Sequence, residues 1–74
     1  METYDLTMKF KNNKVVTEKN ISLGKLVHLL CKNDKKVDAA ALSRQLQLDN
    51  LIIKDGGRID MPFRKFMASI TVHH

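Results

Sequence analysis

Apolar and polar positions alternate from Tyr4 to Phe10: Tyr4, Leu6, Met8 and Phe10 are apolar, while Asp5, Thr7 and Lys9 are polar. A period of two predicts a β-strand with one face on a core. Lys11-Asn12-Asn13-Lys14 reads as a turn, and Val15-Val16-Thr17 as a second short strand closing a hairpin. The period then changes. Leu23, Leu26, Val27 and Leu30 follow the i, i+3, i+4, i+7 rule of an amphipathic helix over 22–32, with Asn20 or Ser22 as cap and Asn33-Asp34-Lys35-Lys36 as its end. Gly24 belongs near the first turn or at a close helix contact, because glycine inside a helix costs about 1 kcal/mol.

Residues 38–48 predict a second helix. Asp38 is an N-cap, Val37 and Leu42 stand at the positions of a hydrophobic staple, and Leu42 and Leu46 point inward. Leu51-Ile52-Ile53 is short, apolar and partly β-branched and reads as a strand. Asp55-Gly56 is a preferred hairpin pair, with Ile59 and Met61 on the return strand. Pro62 opens a third helix on this reading, since its missing N–H costs nothing at a first helical position. Phe63, Phe66, Met67 and Ile70 then repeat at helical spacing; the rival reading is a final strand through Ile70-Thr71-Val72. The expected architecture is α+β: one domain over residues 1–74, a small antiparallel sheet (an N-terminal strand or hairpin plus a hairpin around 51–61), and about three helices.

Composition narrows the classes. With 43% hydrophobic residues, three Gly and one Pro, the chain can build a core, so disorder is not expected. Cys31 is the single cysteine and excludes an intrachain disulfide. No apolar run reaches the roughly 18 residues of a membrane helix. The start, Met1-Glu2-Thr3-Tyr4-Asp5, is acidic and lacks the basic-then-apolar order of a signal peptide. A cytoplasmic protein is expected, with no membrane partner.

The net charge is +5, with ten Lys and three Arg. Residues 1–36 carry eight Lys against four acids, and residues 37–74 five basic residues against four acids, so the excess sits in the first half. Lysine is a point charge suited to phosphate attraction rather than base reading. The candidate nucleic-acid-binding residues are Lys9, Lys11 and Lys14 around the first turn, Arg44 on the second helix, Lys54 and Arg58 around the two glycines, and Arg64 and Lys65 beyond them. Asp38 to Asp49, Ala-rich and Leu-spaced, resembles the first half of a helix-turn-helix, whose second helix would enter DNA. The sequence departs from that motif where the second helix should follow, since 51–57 is strand-and-turn material.

Other chemistries find no support in the residue pattern. His28 and Cys31 make one His-x-x-Cys pair, short of the ligand set zinc needs. The aspartates at 5, 34, 38, 49, 55 and 60 are scattered over caps and turns, and Ser22, Ser43 and Ser69 have no base partner. Gly56-Gly57 lacks the phosphate-loop pattern. The aromatic residues Tyr4, Phe10, Phe63 and Phe66 all stand at core-compatible periods. His73-His74 at the chain end carries no functional weight. No enzyme activity, metal or cofactor is expected. The reading is a small basic nucleic-acid-binding or transcription-associated regulator acting through phosphate contacts. The alternative is a non-catalytic adaptor or inhibitor steered to an acidic protein partner.

A chain this short buries only about 60% of its extended surface, and the gain roughly cancels the ordering entropy. A homodimer is therefore expected, with Phe63, Phe66, Met67 and Ile70 of the predicted last helix as its face. Lys9 and Lys11 would guard the first strand if that strand were a sheet edge.

Overall fold

The computed structural model describes residues 2–74, apart from the side chains of residues 51 and 52. The first alternating segment is strand β1 (Tyr4–Phe10), with Tyr4, Leu6 and Met8 buried. The turn after it closes through the Phe10 N–H on the Lys14 carbonyl at 2.8 Å and the Asn13 N–H on the Phe10 carbonyl at 3.0 Å. Asn13 takes a φ of 69°, a left-handed conformation that Asn tolerates better than most residues.

Strand β2 (Val15–Ile21) runs four residues beyond the predicted Val15–Thr17. Leu6 faces Glu18 and Tyr4 faces Ile21, so β2 holds one extra residue across that interval. Asn20 carries this bulge at φ 58°, and its N–H donates to the Asp5 Oδ1 at 3.0 Å. A bulge breaks strict alternation. It turns Ile21, 4% exposed, into the core behind the polar run Glu18-Lys19-Asn20.

Helix α1 (Leu23–Asn33) starts at Ser22, whose Oγ accepts the Lys25 N–H at 3.2 Å, and buries Leu26, Val27 and Leu30 as its spacing predicts. Gly24 lies in the first turn with nothing within 4 Å of where a Cβ would stand, so no close helix contact requires it.

Helix α2 (Ala39–Lys54) starts where expected, with the Asp38 Oδ1 accepting the Ala40 N–H at 3.0 Å. It does not stop at residue 48. The backbone of 51–53, read above as a strand, is the last part of the same helix. Ile53 is 1% exposed and extends the buried stripe of Leu42 and Leu46, seven residues after the latter. Leu48, off that stripe, is 74% exposed. Isoleucine costs a helix only a few tenths of a kcal/mol, and no Gly or Pro intervenes before residue 56. Gly56, at φ 82°, then ends the helix by donating its N–H to the Ile53 carbonyl at 3.2 Å. Asp55-Gly56 is thus a helix terminus and not a hairpin turn. This also removes the helix-turn-helix resemblance, since the chain after Asp49 continues one helix instead of starting another.

The third predicted helix is a hairpin. Strand β3 (Ile59–Pro62) pairs with strand β4 (Phe66–Val72), Ile59 opposite Ile70 and Pro62 opposite Met67. Pro62 ends an edge strand, where its missing N–H is also harmless. Residues 63–72 satisfy both periods: Phe63, Phe66, Met67 and Ile70 at helical spacing, and Phe66, Ala68, Ile70 and Val72 at strand spacing. Pairing decides between them, because β4 lies between β3 and β1, with Leu6 opposite Ile70 and Phe10 opposite Phe66.

The sheet has the order β2-β1-β4-β3, all antiparallel, and β1 is a central strand, not an edge. The class is α+β, with two helices among the described residues rather than three. Both helices cover one sheet face and share one core with Tyr4, Leu6, Met8, Phe66, Ala68 and Ile70. The Tyr4 hydroxyl donates to the Asn50 Oδ1 at 3.1 Å and ties β1 to α2. The other face presents Val15, Thr17, Thr7, Lys9, Met67, Ser69, Asp60 and Pro62, with no helix over it. Among the described residues no helix is long and apolar enough to cross a membrane.

Candidate functional site

Paired strands run antiparallel, and the β1–β2, α1–α2 and β3–β4 connections meet at one end of the molecule. Hydrogen bonds join them there. The Lys11 N–H donates to the Lys65 carbonyl at 3.3 Å, the Arg64 N–H to the Asp34 Oδ2 at 3.5 Å, and the Asn33 Nδ2 to the Met8 Sδ at 3.8 Å.

This end collects Lys9, Lys11, Lys14, Lys32, Lys35, Lys36, Arg64 and Lys65, all exposed. These are eight of the thirteen basic side chains, accompanied by three of the eight carboxylates: Asp34, Asp38 and Glu18, which lines a hollow with Lys14 and Lys32, for a net charge of +5. The rest of the chain carries five basic and five acidic residues, a net of zero. Two of the three carboxylates are occupied by backbone. Asp34 accepts the Lys36 and Arg64 N–H groups, and Asp38 accepts that of Ala40. A groove of about 400 Å³ runs between α1 and the β3–β4 turn, lined by Lys32, Lys35, Lys36, Arg64 and Lys65 together with Asn33 and Asp34.

Five of the eight sequence-predicted basic residues come together here: Lys9, Lys11, Lys14, Arg64 and Lys65. Three do not. Arg44 lies in the second turn of α2. Lys54, at the opposite end, pairs with Glu2 at 3.4 Å, and Arg58 pairs with Asp60 at 3.2 Å. Lys32, Lys35 and Lys36 were not among the predicted set. The order of elements would have placed them beside the two hairpin turns, but only with the correct element assignment. The predicted self-association face dissolves with its helix. Phe66 and Ile70 are core residues, 2% and 0% exposed, and only Phe63 and Met67 of the four reach the surface.

No family model, curated protein or solved structure matches this chain.

The opposite end is held by a carboxylate. Asp5 Oδ1 accepts the Asn20 N–H and lies 2.8 Å from His73 Nδ1, while the His73 N–H donates to the Thr3 carbonyl at 2.9 Å. The Asn20 hydrogen bond is the main cause holding the Asp5 carboxyl below its ordinary value of 3.8; partial burial opposes it, and His73 and Lys19 add to the lowering. A lowered folded pKa stabilises the fold above the ordinary value, and that contribution is lost as pH falls through the folded value. Asp5→Asn is expected to flatten the pH dependence of the urea midpoint below 3.8. An unchanged acid limb in the variant would show that Asp5 contributes nothing.

His28 is exposed and Cys31 half-buried on α1. Among the described residues no group of three or more His, Cys, Asp or Glu could hold a metal ion.

Proposed function

We propose that this chain binds the phosphate backbone of nucleic acid through its basic end. The observation that supports the reading is the gathering of eight cations from three connections of the chain, with Asp34 and Asp38 beside them committed to backbone N–H groups. Flexible lysines on turns contact phosphates without reading bases. Neutralising several phosphates releases condensed counterions, so affinity falls with salt. Five phosphate contacts give log K against log salt a slope of about −3.5 on single strands and about −4.5 on duplex.

Fluorescence anisotropy of labelled single-stranded DNA, duplex DNA and RNA over a salt series measures that slope. Absence of binding to all three at low salt overturns the reading. An acidic protein surface would meet the same charges. Retention of a partner from extract after nuclease treatment, with no oligonucleotide binding, would favour that alternative.

A further inference from the structure

Three phenylalanines cluster at the basic end. The Phe66 ring centroid is 5.2 Å from that of Phe10, and 4.7 Å from that of Phe63, with the latter pair stacked at 14°. Phe66 is the buried floor, while Phe10 and Phe63 are half-buried. With Pro62 and Met67, which is 43% exposed, they bound a hollow of about 360 Å³. Lys9 and Lys11 line the same hollow, and Arg64 and Lys65 occupy the turn beside it.

We infer that this hollow takes an unpaired nucleobase, so that the basic end selects single-stranded over duplex nucleic acid. The inference rests on the phosphate-binding reading. Inorganic phosphate gains nothing from an apolar floor, and an uncharged apolar ligand gains nothing from the surrounding lysines. A nucleotide carries a flat aromatic ring with a stackable π-face and an anionic phosphate within one repeat, matching both halves of the site. Duplex keeps its rings inside the stack and admits helices or ribbons into its grooves. Here the two hairpin turns are tight, closed by the Phe10 N–H on the Lys14 carbonyl and the Phe63 N–H on the Phe66 carbonyl, both at 2.8 Å. Stacking of a base in this hollow therefore requires a base already out of the duplex stack. Asp5 lies on the open sheet face toward the opposite end, so its charge disfavours phosphate there.

The experiment compares three fluorescein-labelled probes by anisotropy: a short oligothymidylate, an abasic deoxyribose-phosphate strand of equal length, and a duplex of equal length. Charge density alone favours duplex, so the opposite preference is diagnostic. The oligothymidylate is expected to bind about tenfold tighter than the abasic strand, as one stacked base provides, and tighter than duplex. Met67→Thr, at an exposed strand position, and Phe63→Leu, in the turn, are each expected to remove most of that preference while leaving the salt slope unchanged. Circular dichroism verifies that each variant is folded. Equal affinity for the oligothymidylate and the abasic strand overturns the base site and leaves phosphate binding standing. An undiminished preference in both variants also overturns the site. Binding of none of the three probes overturns both readings.

Discussion

Reversal of Lys11, Arg64 and Lys65 to Glu in one variant is expected to lower affinity for single-stranded DNA by at least about a hundredfold near 0.1 M salt. Each lost phosphate contact reduces the magnitude of the single-strand salt slope by about 0.7, equivalent to about fivefold near 0.1 M, and three contacts multiply to about a hundred. Repulsion from the new carboxylates adds to the loss. The three side chains belong to two turns joined by the Lys11–Lys65 backbone hydrogen bond, and all are exposed, so the fold should tolerate the changes.

Global charge is controlled by a second triple variant, Lys19, Lys25 and Arg44 to Glu. Each triple takes the net charge from +5 to −1, but the second spares the basic end. It should keep most of the affinity and most of the slope. Equal losses in the two triples would mean that binding follows net charge alone, and the assignment to one end would fail.

Phe66→Asp should unfold the chain. Phe66 is 2% exposed, lies between the rings of Phe10 and Phe63, and belongs to a strand paired on both sides. Truncating a buried Phe costs about 3–5 kcal/mol, and an unpaired carboxylate in its place adds a desolvation cost of several more. A domain of this length has a total stability of about 4–11 kcal/mol. Far-UV circular dichroism should show loss of the sheet and helix signal, with no cooperative melt.

Ile70→Ala, at a position 0% exposed, should stay folded at a lower urea midpoint, with a loss of about 2–5 kcal/mol. Met67→Asp, one residue from Phe66 but on the open face, should stay folded near the parent midpoint. A folded Phe66→Asp that merely changed its mass in sedimentation would return Phe66 to an exposed association face. That result would contradict the strand pairing described here.

The contrast between Phe66 and Met67 shows where periodicity is decisive and where it is not. From Tyr4 to Phe10 one period fits, and the strand is legible to its ends. From Phe63 to Val72 two periods fit the same side chains. Phe66 and Ile70 are buried in either, but Met67 is inside in one and outside in the other. A proline before the segment favours neither, since its missing N–H is harmless at a helix start and at an edge-strand end. The sites reached through sequence spacing alone, the helical face and the basic glycine turn, failed together with those two element assignments.

The residues by themselves determined β1, the helical segment α1, the Asp38 start of α2, the α+β class and the positive charge. Each depends on neighbours within one or two turns of chain, through period, cap or count. The tertiary structure decided the rest. Ile53 joins a helix because the core needs its side chain beside Leu46, and the helix stops only where Gly56 can take a left-handed φ. β2 extends through a bulge because the Asp5 carboxylate holds the Asn20 N–H and brings Ile21 inward. Residues 66–72 form a strand because β1 and β3 supply hydrogen-bonding partners on either side. The meeting of Lys11, Lys36 and Lys65 follows from the three connections that meet at one end. Their mutual repulsion is tolerable because every one of them remains in water, where charges interact weakly. Long-range pairing brings distant segments together, and no local pattern along the chain encodes that.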